Sequence, residues 1–142
     1  MKVLVTGAYG FVGKNLCATL KNIADGKDKS YNIDSDITVF QYDLGTDKAL
    51  LDTYCKECDF VFHLAGVNRP ETEEEFMEGN FGFSSTLLDT LKKYNNTCPI
   101  MISSSIQAEL DNPYGRSKKA GEDLMFAYGE ETGAKVMVYR LP

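Results

Sequence analysis

The chain has no tryptophan, one histidine (His63) and four prolines in 142 residues. It lacks any apolar run long enough to span a bilayer. Its first residues lead into a β-branched segment rather than a signal-type apolar region, so we read it as cytoplasmic with no membrane partner. Basic charge is short: 15 Lys and Arg against 21 Asp and Glu leave a net charge of −6, which argues against nucleic acid as a partner. Cysteine is too sparse for a disulfide framework. Of the four, Cys17, Cys55, Cys58 and Cys98, only Cys55-Lys56-Glu57-Cys58 has metal-ligand spacing. No second pair follows and the one histidine lies in an apolar run, so the expectation is reduced thiols and no metal site. Repeats, low-complexity tracts and composition breaks are absent as well. What remains, 43% hydrophobic residues, is enough for a single domain over 1–142 with a sizeable core.

The stretch that organises the rest is Val3-Leu4-Val5-Thr6-Gly7-Ala8-Tyr9-Gly10-Phe11-Val12-Gly13. A β-branched run, three glycines spaced Gly-x-x-Gly-x-x-Gly and an amphipathic helix follow one another directly, which is the context of a dinucleotide-binding turn. Gly7 permits the sharp turn, Gly10 lets a pyrophosphate approach the backbone, and Gly13 lets helix and strand pack closely. The helix amino end, with unpaired N–H groups and partial positive charge, suits phosphate. A mononucleotide P-loop ending at Gly13-Lys14 is excluded on two counts. Its first glycine would fall on Ala8, and the Ser or Thr after the lysine is Asn15.

Along the chain, the pattern predicts a strand over 2–6 and a helix over 11–24 with Val12, Leu16, Leu20 and Ile23 facing inward, ended near Gly26. A second strand over 37–42 closes on Asp43. A carboxylate there can accept the adenosine ribose hydroxyls and disfavours a 2′-phosphate; a helix-capping or adenine-contacting role is the alternative. A short helix over 46–55 follows, with Thr46 as N-cap and Ala49, Leu50 and Tyr54 inward. Asp59 to Gly66 reads as a buried parallel strand with His63 as a satisfied core histidine; Ala65-Gly66 leaves room for a flat ring. Asn68-Arg69-Pro70 is a loop at its carboxyl end. A helical pattern over 71–94 carries Phe76, Phe83, Leu87, Leu91 and Tyr94, with a break near Gly79-Asn80. A strand over 99–102 leads into Ser103-Ser104-Ser105, a polar connector covers 107–113, and a helix over 114–132 stops at Gly133 before a last strand over 135–139. About five strands alternating with helices make a doubly wound, parallel α/β sheet of the Rossmann type, with helices on both faces. The two long helices carry more apolar residues than one sheet face needs, so self-association is expected.

Tyr114-Gly115-Arg116-Ser117-Lys118 places a phenol and an ammonium at i and i+4, on one face of a helix. A free tyrosine loses its proton near a pKa of about 10. A neighbouring cation favours the phenolate and makes such a group usable in acid–base catalysis. Lys118 can also hold ribose hydroxyls, and a serine at the end of the preceding strand can donate to a carbonyl oxygen.

With these residues in hand, the chain resembles the short-chain dehydrogenase/reductase superfamily, in its extended branch of nucleotide-sugar epimerases, dehydratases and reductases. The resemblance rests on Thr6 to Gly13, His63-Leu64-Ala65-Gly66, Ser103-Ser104-Ser105 and Tyr114 to Lys118. The runs Gly66 to Pro70, Ser103 to Ala108 and Asn112 to Gly115 look like the subgroup of capsular-polysaccharide reductases. That resemblance implies NADPH-dependent reduction of a 4-keto UDP-deoxysugar, whereas Asp43 argues for NAD; epimerase or dehydratase chemistry and a non-catalytic dinucleotide-binding module are the alternatives. It implies Ser105 as the group orienting the keto oxygen, Tyr114 as the proton carrier and Lys118 as its electrostatic partner. It implies Gly7, Tyr9, Gly10, Phe11, Val12, Gly13, Asp43, Leu44, Leu64, Ala65 and Gly66, with Tyr114 and Lys118, as the cofactor-binding set, and it matches Asn80 to a helix asparagine of the family. The resemblance further implies pairing through the two long helices. The spacer between Ser105 and Tyr114 is short for the branch but shared by the capsular subgroup. Family members continue past this length into a sugar-binding half, so the chain is read as ending before it.

Overall fold

The computed structural model describes residues 1–31, 36–64, 74 and 81–142. Among them the order is β1 (Lys2–Thr6), α1 (Phe11–Ala24), β2 (Thr38–Tyr42), α2 (Ala49–Glu57), β3 (Phe60–His63), α3 (Phe83–Lys93), β4 (Ile100–Ser105), a 3-10 helix (Ile106–Glu109), α4 (Pro113–Thr132) and β5 (Val136–Leu141). The five strands form one sheet in the order β2-β1-β3-β4-β5, every pairing parallel. After β2 the sheet grows from the opposite side of β1. The crevice above the carboxyl ends of β1 and β3 is therefore the topological switch point, where sheets of this order bind ligands.

Parallel strands need crossover helices, and those helices bury the β-branched runs from both sides. On one face Leu4, Val61, Ile100 and Ile102 meet Leu51 and Cys55 of α2, Leu87, Leu88 and Leu91 of α3, and Met125 and Tyr128 of α4. On the other, Val3 and Val5 meet Ala8 and Cys17 and Leu20 of α1. Among the described residues no helix is long and apolar enough to cross a membrane.

Several expected details change. Val12 is 48% exposed, and the inner face of α1 is Gly13, Cys17, Leu20 and Ile23, with Leu16 half-buried. Packing forces this: a Cβ on Gly13 would lie 2.0 Å from the Gly7 carbonyl oxygen, so the side of the helix without a side chain must face the turn. Thr46 does not cap α2. Its hydroxyl accepts the Asp43 N–H (3.0 Å), and the helix starts at Ala49, whose N–H goes to Asp47 Oδ1 (3.0 Å). Ala49 and Leu50 face out, and Leu51 and Cys55 take the inner face, with Tyr54 stacked on Phe40 at 4.6 Å. The fourth strand runs on through all three serines, because each pairs with β5. α1 ends at Ala24 with Gly26 in the left-handed region, and α4 ends at Gly133, likewise left-handed. Ala65, Gly66, Asn68 to Pro70, Phe76 and the break at Gly79-Asn80 lie outside the described residues.

Candidate functional site

The carboxyl edge of the sheet is assembled from the ends of β1, β2, β3 and β4. At the end of β1 the chain turns through Gly7, whose φ of +68° is closed to ordinary side chains. The Gly10 N–H donates to the Gly7 carbonyl (3.1 Å), and α1 begins at Phe11. Its amino end takes no side-chain cap, and its first turn holds no acidic residue, so the helix dipole there is not offset locally. Gly13 is demanded by packing, as above. Gly10 is not: a Cβ there would meet only the Gly7 oxygen, at an ordinary 3.4 Å.

Around this turn sits a rim of outward apolar side chains: Tyr9, Phe11 (85% exposed), Val12 and Leu44 (95% exposed). Asp43 occupies the end of β2. Both its carboxylate oxygens accept backbone N–H groups, Oδ2 from Tyr9 (2.9 Å) and Oδ1 from Leu44 (2.7 Å). The residue thus ties the glycine turn to the neighbouring strand; it caps no helix.

At the end of β3, His63 is buried and both ring nitrogens are engaged, Nδ1 with Thr6 Oγ1 (2.6 Å) and Nε2 with Ser84 Oγ (2.7 Å). Leu64 donates its N–H to the same Thr6 hydroxyl (3.1 Å). Burial, and then the Lys118 charge, push the His63 pKa down to about 3, so the ring is neutral. The expectation of a core histidine with partners is met. The network pins β1, β3 and α3 together directly below the mouth.

The end of β4 and the start of α4 carry the phenol and the ammonium. Lys118 Nζ lies 5.7 Å from the Tyr114 ring centroid, so the two share a side of the helix. Both residues are half-buried. Burial holds the Lys118 ammonium below the usual lysine range, and Glu122 pulls it back up. Ser105 is buried at the strand end, and its hydroxyl accepts the Gln107 N–H (3.1 Å) that starts the 3-10 helix.

Several residues that fix this geometry escaped the sequence reading. Asn112 is the N-cap of α4, its Oδ1 accepting the Gly115 N–H (2.7 Å), with Pro113 in the first turn. The signal was present as Asn-Pro followed by a helical pattern. Gly115 is a close-approach glycine: a Cβ would fall 2.3 Å from the carbonyl oxygens of both Gln107 and Leu110. Glu122 is 2% exposed and holds two strands at once. It accepts Ser104 Oγ–H (2.6 Å) and a bidentate pair from Arg140, Nε at 2.9 Å and Nη2 at 2.8 Å. Arg140 also reaches Glu109 (2.9 Å). Nothing in the local sequence marks Glu122, because its partners are distant in the chain. Among the described residues no group of three or more His, Cys, Asp or Glu converges as a metal site.

Comparison with known proteins adds the following. Residues 3–142 match the NAD dependent epimerase/dehydratase family. The chain is 42% identical over all 142 residues to the UDP-2-acetamido-2,6-beta-L-arabino-hexul-4-ose reductase of Pseudomonas aeruginosa, covering 35% of that protein. It superimposes on the capsular polysaccharide assembling protein CapF of Staphylococcus aureus with a TM-score of 0.78 at 42% identity, covering 36% of that chain. It also superimposes on RMD of Pseudomonas aeruginosa, solved with NADPH, with a TM-score of 0.74 at 25% identity, covering 98% of this chain and 53% of that one. The chain thus spans about a third of the length of the reductase relative it matches, 35%.

Proposed function

Because the chain belongs to the NAD dependent epimerase/dehydratase family, we propose that it is the dinucleotide-binding and acid–base part of a nucleotide-sugar oxidoreductase that reduces a 4-keto UDP-deoxysugar for polysaccharide synthesis. The observation that carries the reading is the arrangement of the carboxyl edge. The glycine turn opens there on the uncapped end of α1, and Tyr114 and Lys118 share one side of the helix that leaves the same edge. The backbone N–H groups after Gly10 bind the pyrophosphate, and the openness of the Gly10 position is what such an approach needs. Tyr9, Phe11, Val12, Leu44 and Leu64 would line the cofactor cleft, and Ala65 and Gly66, outside the described residues, complete the proposed cofactor-binding set. Bound NAD or NADPH supplies hydride exchange with the sugar carbon. Ser105 orients the keto oxygen, Tyr114 delivers the proton to it, and Lys118 supports the phenolate that remains. Asp43, spent on backbone N–H groups, leaves the choice between NAD and NADP to the test. The reading includes a cytoplasmic setting and self-association through α3 and α4.

The alternative reading is a non-catalytic dinucleotide-binding module, resting on the glycine turn alone. Titration with NADPH and NADH, followed by reduced-nicotinamide fluorescence, tests the base of both. Failure of either to bind at millimolar concentration overturns both. Turnover of a 4-keto UDP-deoxysugar then separates them. Tyr114→Phe is expected to keep the cofactor affinity within about threefold and to lower turnover by ~10²–10⁴-fold, the range of a lost general acid. Undiminished turnover in the variant removes Tyr114 from the proton path.

A further inference from the structure

The opposite, amino-terminal edge of the sheet holds a second cluster that the proposed function does not use. Cys55 lies in the last turn of α2, Cys58 caps that helix before β3, and Cys98 precedes β4. The sulfurs of Cys58 and Cys98 lie 3.8 Å apart, in van der Waals contact, although the residues are 40 positions apart in sequence. One side chain holds both in place. Asn96 Nδ2 donates to the carbonyls of Cys55 (2.7 Å) and Cys58 (2.9 Å) and reaches Cys58 Sγ (3.5 Å). Asn96 Oδ1 accepts the Cys98 N–H (3.0 Å), and its backbone carbonyl accepts the Tyr128 hydroxyl (3.1 Å). Burial pushes the Tyr128 pKa up to about 12, so that hydroxyl stays a donor.

We propose that Cys58 and Cys98 are a peroxide-responsive dithiol that closes to a disulfide across the amino ends of β3 and β4. The roles of the two sulfurs differ. The Cys98 thiol, and further the Asn96 amide, favour the Cys58 thiolate against its burial, while Cys98 is pushed up by its partner and by burial. Cys58 is 3% exposed, so an oxidant that reaches it must be as small as hydrogen peroxide. The Cys58 thiolate attacks one oxygen of hydrogen peroxide, the O–O bond breaks, and hydroxide leaves, giving a sulfenic acid at Cys58. Cys98 sulfur then attacks Cys58 sulfur, the S–O bond breaks, and the sulfenic oxygen leaves as water. Two thiols are oxidised and one peroxide is reduced to two waters. Cys55 stays out of the exchange: burial pushes its thiol up to about 12 and its side chain is fully buried. Cys17 lies across the sheet, under α1.

The test is thiol counting on the reduced chain after hydrogen peroxide, with N-ethylmaleimide added under denaturing conditions and intact mass read out. Untreated protein should take four labels, one for each cysteine. Oxidised protein should take two, with a loss of two hydrogens, a Cys58–Cys98 cross-linked peptide after proteolysis and full recovery on dithiothreitol. Cys98→Ser should remove the cross-link and leave Cys58 reactive to dimedone, which traps a sulfenic acid. Retention of four labels, a cross-link on any other pair, or oxygen addition to Cys58 without loss of hydrogens in the wild-type chain would each overturn the proposal. Because the wild-type protein alone decides it, a variant that fails to fold does not protect it.

Discussion

On one face of the sheet Leu4, Val61 and Ile100 are fully buried and Ile102 is 7% exposed, under three helices. On the other, Phe60, Phe62, Met101 and Met137, alternate residues of those same strands or their neighbour β5, stay half-buried, and Tyr139 is 52% exposed. Strand alternation assigns the residues to faces, but the number of crossovers on each side decides how much is covered. The difference also sorts the chemistry. His63, Ser104 and Glu122, the polar groups that hold the carboxyl edge together, all point into the three-helix face, where burial makes partners obligatory. The α1 face contributes something else, a close backbone approach at Gly13.

This contrast can be broken most directly by a pair of truncations. Leu91→Ala, on the covered face with Leu91 fully buried, is expected to cost about 3–4 kcal/mol in urea unfolding, and Phe62→Ala about 1 kcal/mol. Equal losses would mean the faces are energetically alike. Gly13→Ala sharpens the contribution of α1. Its Cβ would meet backbone at 2.0 Å and cannot be relieved by a rotamer change. A loss of about 2–3 kcal/mol is expected, with NAD(P)H affinity falling more than Leu91→Ala lowers it, measured by fluorescence titration. The last effect is read through pH. His63 has a folded pKa pushed down to about 3 against about 6.5 unfolded. As pH falls below the unfolded value, the unfolded chain takes up a proton that the fold refuses, so stability is lost. At pH 5 the loss relative to pH 8 is about 2 kcal/mol. Burial raises the Glu122 carboxyl, but hydrogen bonds from Arg140 and Ser104 outweigh it and hold the carboxyl below its usual range. Its contribution is present above the usual carboxylate range and lost only at lower pH, so the window from 8 to 5 isolates the histidine. In His63→Asn the difference between the urea unfolding free energies at the two pH values should shrink by that amount.

How much of this was legible in the sequence depended on range. β1 and α1 were read to the residue, because the β-branched run, the glycines and the helical period are all local signals. The start of α2 was misread because Thr46 looks like a cap in isolation, yet its hydroxyl closes a turn on Asp43. Periodicity places Val12 inward with Leu20 and Ile23, but the close approach at Gly13 gives the first turn's inner position to the glycine instead. Tyr114 and Lys118 are singled out by their spacing, and Ser105 by the family resemblance. Their supports, Glu122 with Arg140 and His63 with Thr6 and Ser84, join residues 18 to 57 positions apart and leave no trace in any window. Asp43 stands out in the sequence as the acidic end of β2, but its bonds to Tyr9 and Leu44 could not be foreseen from composition.

The contact of Gly115 with the carbonyls of Gln107 and Leu110 sets a rule for the connector between β4 and α4. Because α4 is seated on that short segment without clearance, a side chain at position 115 would lift the first turn of the helix off the connector and displace the Tyr114 ring with it.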